Sequence, residues 1–302
     1  MSAIKIKWLS KNYWDNKVLK KIDLEIEPGD FFALLWQNGA WKTTMISILT
    51  NLVKKDDWKV KINGVSIDKD FASARKHIWV VPQEFNFDQF EKVKNIPVIQ
   101  AGYYGISKKE ALKRTEKYLK KLWLWEKREN KARELSGWMK RRLMIARALV
   151  HEPKILILDE PTAWVDVELR NGMWDFIREL NASGTTILLT THYLEEVEAL
   201  CNRVAIIHKW EIIRDTKTKF LLEELQEESI ILNSNKDLPK DIEKTLKEFQ
   251  AEKITKKELS VVLSKKHSLN ELFAHLNSLN IEILSFRNKA NRLEQLFIHL
   301  TQ

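Results

Sequence analysis

Glycine is scarce in this chain: 8 occur in 302 residues, where average usage of about 7% predicts roughly 21. Cysteine is scarcer still. The single Cys201 excludes an internal disulfide and a multi-cysteine metal site, and fits a cytosolic protein. No apolar run reaches the roughly 18 residues a membrane-spanning helix needs. The opening Met1-Ser2-Ala3-Ile4-Lys5-Ile6-Lys7 lacks the apolar stretch of a secretory signal, so neither export nor membrane spanning is expected. Repeats and low-complexity segments are absent too. Against these shortages stand 12 tryptophans and a net charge of +9. That charge permits an anionic partner, whether nucleotide, nucleic acid or membrane face, and selects none of them. Length and a 44% hydrophobic composition fit one large or two modest domains with a sizeable core.

The hydrophobic pattern predicts an α/β body. Ile4, Ile6, Leu24 and Ile26 follow strand alternation, and Phe31-Phe32-Ala33-Leu34-Leu35 reads as a strand buried on both faces. A short loop and a helix over residues 42–52 follow. Residues 107–122 read as a capped amphipathic helix opened by Ser107. Two more apolar runs, Ile155-Leu156-Ile157-Leu158 and Thr186-Ile187-Leu188-Leu189-Thr190, flank a helical stretch over 167–181, the alternation of a helix-covered parallel sheet. Pro97 would fit poorly inside a helix. Past residue 220 the character changes. An acidic helix over 221–228 leads into strands over 229–233, 259–264 and 281–286 and helices over 241–249, 269–279 and 290–300, a small α+β domain. Lysine-rich patches such as Lys117, Lys120 and Lys121 read as solvated helix faces.

Two segments carry chemistry. Trp36-Gln37-Asn38-Gly39-Ala40-Trp41-Lys42-Thr43-Thr44 follows the buried strand, where a phosphate-binding loop, G-x-x-x-x-G-K-[ST], would cradle phosphates with backbone N–H groups, lysine and hydroxyl. Lysine and threonines match, but both glycines are tryptophan, and a lysine-capped helix start is the competing reading. Asp159 and Glu160 close another buried strand, where open α/β sheets bind ligands. There an aspartate can hold Mg²⁺ and a glutamate can orient a water; alone, such a pair is more often a helix cap.

The run Leu135-Ser136-Gly137-Trp138-Met139-Lys140-Arg141-Arg142-Leu143 resembles the LSGGMKRRL signature of ATP-binding cassette (ABC) ATPases. Other segments resemble that family's motifs in its own order. Tyr13 resembles the adenine-stacking aromatic, Gln83 in Val80-Val81-Pro82-Gln83 the Q-loop, and Asp159 and Glu160 the Walker B pair. Ala163-Trp164-Val165-Asp166 resembles the D-loop, and His192 in Thr190-Thr191-His192 the switch histidine. The resemblance covers residues 1 to about 220. It implies a P-loop NTPase cassette over 1–220 with a helical insert at about 84–140, followed by an accessory domain over 221–302.

It further implies ATP and Mg²⁺ as ligands, in a homodimer whose two copies clasp two nucleotides head to tail. Tyr13, Trp36, Gln37, Asn38, Gly39, Ala40, Trp41, Lys42, Thr43, Thr44, Gln83, Ser136, Gly137, Trp138 and Asp166 would then bind nucleotide. Thr43, Gln83 and Asp159 would attend the metal, and Lys42, Glu160 and His192 would catalyse. The expected partner is a separate transmembrane permease, not nucleic acid, which places the chain in the cytoplasm on the inner face of the membrane. Residues 83–87 and 100–105, with the appended domain, are most similar to exporters of drugs, polysaccharides or lipids. Phe85, Phe87, Phe90, Tyr103 and Tyr104 are candidates for the permease contact.

Trp36, Trp41, Trp138 and Trp164 occupy positions where that family carries glycine. Trp8, Trp14, Trp58, Trp79, Trp123 and Trp210 are read as further glycine positions in turns or loops, whereas Trp125 and Trp174 sit in helical contexts that suit tryptophan. A Cβ and an indole in a phosphate loop block the close backbone approach that glycine allows. The expectation is a gene whose UGA codons are read as glycine; the alternative is a cassette that binds ATP without hydrolysing it.

Overall fold

The computed structural model describes every residue except 15, 37–40, 55–56, 163–166, 224–226, 265–266, 290–292, 294–296, 298–299 and 301–302, and gives backbone alone at 16–17, 41, 57–58, 167–168, 227–228 and 264. The chain forms two compact units, Met1–Thr216 and Lys217–Gln302.

The first unit opens with β1 (Ile4–Tyr13), β2 (Asn16–Ile26), β3 (Phe31–Trp36), α1 (Trp41–Leu49), β4 (Asp57–Ile62), β5 (Val65–Ser66), α2 (Phe71–Arg75) and β6 (Ile78–Val81). Helices α3 (Asn95–Tyr103), α4 (Lys108–Lys121) and α5 (Gly137–Leu149) follow. Then come β7 (Ile155–Asp159), α6 (Val167–Ala182), β8 (Thr186–Thr190), α7 (Leu194–Leu200), β9 (Arg203–His208) and β10 (Glu211–Lys217).

The alternating strands make an antiparallel sheet in the order β2-β1-β4-β5, and the continuous apolar strands make a second sheet, β10-β9-β3-β8-β7-β6. In that sheet β9, β3, β8, β7 and β6 pair in parallel. All six residues of β3 are buried, and each of its phenylalanine and leucine side chains contributes roughly 1.5–3 kcal/mol by leaving water. A strand with that many buried side chains belongs inside the sheet, between β9 and β8. Ile4, Ile6, Leu24 and Ile26 of the antiparallel sheet share a core with Met45 and Ile48 of α1 and Phe32 and Leu34 of β3.

In the helical part, α4 buries Ala111, Thr115, Tyr118 and Leu119, one helical stripe, and Ser107 caps it by accepting from the Glu110 N–H at 3.4 Å. Pro97 is accommodated after all. It is the third residue of α3, where a backbone N–H has no intrahelical acceptor to lose.

The turn or loop context expected for six tryptophans holds at Trp14, Trp123 and Trp210 but not at the other three: Trp8, Trp58 and Trp79 lie within β1, β4 and β6.

The second unit comprises α8 (Thr218–Glu223), β11 (Glu227–Ser234), α9 (Ile242–Thr245), β12 (Glu252–Lys253), β13 (Glu258–Ser264), α10 (Leu269–Ser278) and β14 (Ile283–Asn288). The acidic helix expected over 221–228 therefore ends early, and β11 begins at Glu227. An antiparallel sheet, β12-β13-β11-β14, packs Ile230, Leu232, Leu259 and Val261 against Phe249, Leu272 and Leu276 in a core of its own. A Ser268–Glu271 capping box starts α10.

Candidate functional site

Parallel strands deliver their carboxyl ends to one edge of a sheet, the place where α/β folds bind ligands. Here β3 ends at Trp36, β7 at Asp159, β8 at Thr190 and β6 at Val81. The residues just beyond those ends, together with the first turn of α1, form the site.

Lys42, 8% exposed, places its Nζ 3.0 Å from Asp159 Oδ1 and 2.7 Å from Glu160 Oε1. The Gln83 amide donates to Glu160 Oε2 at 3.0 Å, and His192 Nδ1 lies 3.5 Å from the same oxygen. Thr190 Oγ1 donates to Asp159 Oδ1 at 2.7 Å and fixes that carboxylate. Glu160 itself sits in the left-handed region at φ 48, held there by its N–H donating to the Thr190 carbonyl at 2.8 Å. A non-glycine residue there carries about 1–2 kcal/mol of strain, and strain of this kind gathers at functional positions. One cation faces two carboxylates, so the cluster is short of positive charge by one. Removing a member of such a buried set costs about 3–5 kcal/mol when it strands a charge.

The structure thus brings Lys42, Gln83, Asp159, Glu160 and His192 together. Thr43 is exposed on the first turn of α1, and Thr44 is buried behind it. Tyr13, Ser136, Gly137 and Trp138 are not in this cluster. Tyr13 is 40% exposed at the end of β1. Ser136 caps α5, accepting from the Met139 N–H at 3.2 Å, and Gly137 is exposed beside it with open space where a Cβ would stand. Gln37, Asn38, Gly39, Ala40 and Asp166 lie outside the described residues, as does the side chain of Trp41. A cleft of about 710 Å³, lined by Ser10, Lys20, Lys21, Asp23 and Glu211 among others, contains none of the clustered residues.

Two arginines of α5, one of them inside the signature run, have contacts that the sequence did not assign. Arg141 donates to the carbonyls of Pro82 and Gln83 at 2.6 and 2.5 Å. Arg147 donates to the Asn86 carbonyl at 3.0 Å and to its side-chain oxygen. Together they grip the backbone that carries Gln83. Burial lowers both guanidinium pKa values from the usual arginine level, while Asp159 and Glu160 pull that of Arg141 the other way. The run Lys140-Arg141-Arg142 was visible in the sequence, but nothing in it marks which arginine turns inward.

Carboxylate, hydroxyl and amide oxygens are the hard donors that Mg²⁺ prefers, so Thr43, Gln83 and Asp159 fit that ion. Trp36 does not fit a phosphate: its ring lies 5.0 Å from Lys42 Nζ, the atom that would have to meet the anion.

A family model described as ABC transporter matches residues 19–163. The linearmycin resistance ATP-binding protein LnrL of Bacillus subtilis is 33% identical over 300 residues, covering 97% of this chain and 96% of that protein. The Nod factor export ATP-binding protein I of Burkholderia pseudomallei is 37% identical over 223 residues, 74% of this chain and 73% of its own length. Among solved structures, one described as an ATP-binding subunit of an ABC transporter superposes with a TM-score of 0.68 at 25% identity, over 74% of this chain and 93% of that one. CbiO1 of Clostridium perfringens, described as part of the ABC transporter complex cbiONQ, gives 0.67 at 28% identity, over 74% and 91%.

Proposed function

The chain belongs to the ABC transporter ATPases, and from that membership we propose that it binds and hydrolyses ATP to drive export through a separate transmembrane permease. The observation that carries the reading is the convergence of Lys42, Gln83 and His192 on Glu160 within 2.7–3.5 Å. Residues so held can position and stabilise an in-line phosphoryl transfer to water, which needs little covalent chemistry from the protein.

In this scheme Lys42 leaves its carboxylates for the β- and γ-phosphates. The N–H groups at the start of α1 face the same anion. Mg²⁺, when bound, neutralises phosphate charge, with Thr43 and Asp159 as its holders and Gln83 beside it. Glu160 takes a proton from the attacking water, and His192 contacts the γ-phosphate. Tyr13 stacks on adenine, Gln37 to Ala40 complete the loop, and Asp166 with Ser136, Gly137 and position 138 of a second copy close over the nucleotide. A homodimer follows from that division of labour.

Export is favoured because the match to LnrL runs through both units of the chain, and the second set of relatives are named for Nod factor export. None of the described helices is long and apolar enough to cross a membrane. The permease would therefore supply the path and hold the chain at the inner face. The C-terminal unit from about residue 221 is proposed as an accessory domain of that exporter.

The packing of Trp36 on Lys42 favours a second reading for a chain in which tryptophan stands at 36, 41 and 138: a cassette that does not hydrolyse ATP. Phosphate release and MgATP binding, measured with tryptophan and with glycine at those three positions, separate the two. Hydrolysis by the glycine form supports the ATPase, and its absence from both forms overturns it.

A further inference from the structure

We infer that the protein carries glycine, not tryptophan, at positions 8, 14, 36, 41, 58, 79, 123, 138, 164 and 210, and tryptophan only at 125 and 174. Composition raised the expectation; the backbone sorts the residues one by one. Trp8, Trp14, Trp123 and Trp210 have φ of 58, 54, 53 and 74. Twelve non-glycine residues in the described chain have positive φ, so tryptophan supplies a third of them while forming 12 of 302 residues. Left-handed backbone is rare outside glycine, asparagine and aspartate, and rarer for a bulky side chain.

Each of the four occupies a different motif, and each motif favours glycine. Between the pairs Ile6–Leu24 and Leu9–Ile22, Lys7 and Trp8 together oppose Asp23, a β-bulge with a left-handed residue. Trp14 opens the two-residue connection between paired Tyr13 and Asn16, where tight hairpins need positive φ. Lys209 and Trp210, at φ 45 and 74, are the two residues joining β9 to β10, the pattern in which glycine is preferred second. Trp123 follows α4: its N–H donates to the Lys120 carbonyl at 3.1 Å, and the Leu124 N–H reaches back to the Leu119 carbonyl at 2.8 Å. Those paired bonds define the Schellman ending, whose left-handed residue is usually glycine.

The indoles agree. Trp8, Trp14 and Trp123 are 60–100% exposed. The indole N–H groups of Trp79 and Trp138 are buried without an acceptor, unlike nearly all buried polar groups. Beside Trp79, both His151 ring nitrogens are also unpartnered, and a glycine would open space for water to reach them. The Trp36 ring lies 5.0 Å from Lys42 Nζ, where the lysine would have to meet a phosphate. Trp174, by contrast, lies inside α6 and donates to Glu196 at 3.2 Å, and Trp125 opens a short helical turn, Trp125–Lys127, with no left-handed φ. Positions 41, 58 and 164 follow from the sequence pattern alone. Giving glycine to ten positions raises its count from 8 to 18, near the roughly 21 of an average chain. A UGA codon that the organism's own tRNA reads as glycine, rendered as tryptophan by a code that assigns UGA to tryptophan, with UGG at 125 and 174, accounts for every replacement being of one kind.

The four left-handed positions are not among the residues of the proposed ATP site, so this inference does not rest on the ATPase reading. The test is tandem mass spectrometry of tryptic peptides from the protein purified from its own organism. The peptide spanning residues 122–127 contains one position of each class. Glycine at 123 with tryptophan at 125, and glycine at 138 in the peptide spanning 134–140, are expected. Tryptophan at 123 or 138, or glycine at 125, would overturn the inference and recast the exposed indoles as docking anchors. A second measurement uses the tryptophan chain made from a gene with UGG at all twelve positions. There Trp123→Gly should leave the thermal midpoint unchanged or higher, whereas Trp174→Gly should lower it; equal losses would also overturn the inference. Glycine at these positions in a protein without ATPase activity would sink the functional reading alone.

Discussion

Replacing Glu160 by glutamine in the chain with glycine at 36, 41 and 138 is the sharpest probe of the catalytic assignment. The carboxylate has three neighbours: Lys42 at 2.7 Å, Gln83 at 3.0 Å and His192 at 3.5 Å. An amide of the same shape keeps an acceptor for Lys42 but loses the charge, a loss of about 1.5–3 kcal/mol per charged hydrogen bond. Lys42 is not stranded, because Asp159 remains 3.0 Å away, so the larger penalty for an orphaned buried charge does not arise. The fold should survive. The cluster moves from one net negative charge to neutrality, which removes a repulsion of the phosphates, so MgATP binding should hold or tighten. Turnover should fall by about 10²–10⁴, the usual yield of a positioned general base, equivalent to about 3–5 kcal/mol of barrier. Phosphate release under saturating MgATP gives the rate, equilibrium dialysis gives the affinity, and size-exclusion chromatography with MgATP should show an accumulated dimer. Unchanged turnover, or affinity falling in step with turnover, would refute the role given to Glu160.

Three other outcomes follow from the geometry. Arg141→Ala removes both bonds to the Pro82 and Gln83 carbonyls and should lower stability by about 2–4 kcal/mol, with Arg141→Lys rescuing only in part because an ammonium lacks the guanidinium fork; denaturant melts and basal turnover read both. Acidic substitutions at Phe90 and Tyr103, exposed by 68% and 80%, should abolish permease co-purification and transport while sparing basal ATPase, and intact transport would remove this face as the permease contact. Truncation after Thr216 should leave a soluble, cooperatively melting first unit, since each unit has a separate core; aggregation of the truncated chain would show that the first core is incomplete without the tail.

What was legible in the sequence was local. The continuous apolar runs of β3, β7 and β8, the serine cap of α4 and the helix expected over 269–279 each depend on neighbours within a turn or two, and each forms near where its pattern predicts. The site was legible for a different reason. Lys42 meets Glu160 across 118 positions and Gln83 meets it across 77, separations that no periodicity encodes, so only the ordered set of motifs revealed the meeting. Arg141, although inside the signature run, and Arg147 were given no role of their own, because their inward turn depends on carbonyls about 60 residues earlier in the chain.

Backbone conformation was the layer least open to sequence reasoning, and it bears most on function. A strand pattern such as Ile4-Lys5-Ile6-Lys7 predicts pairing but not the bulge at Trp8, and a helix stripe predicts α4 but not the left-handed residue that ends it. These positions tolerate a Cβ poorly whatever the surrounding polarity. The same demand governs the loop before Lys42, where phosphates must approach backbone N–H groups closely. Turns far from the site and the loop at its centre thus ask for the same residue on the same steric ground. For that reason the tryptophans in the turns inform the chemistry of the loop: if glycine occupies the turns, the same reading removes from the loop beside the lysine, the two carboxylates and the histidine the side chains that would hinder a phosphate.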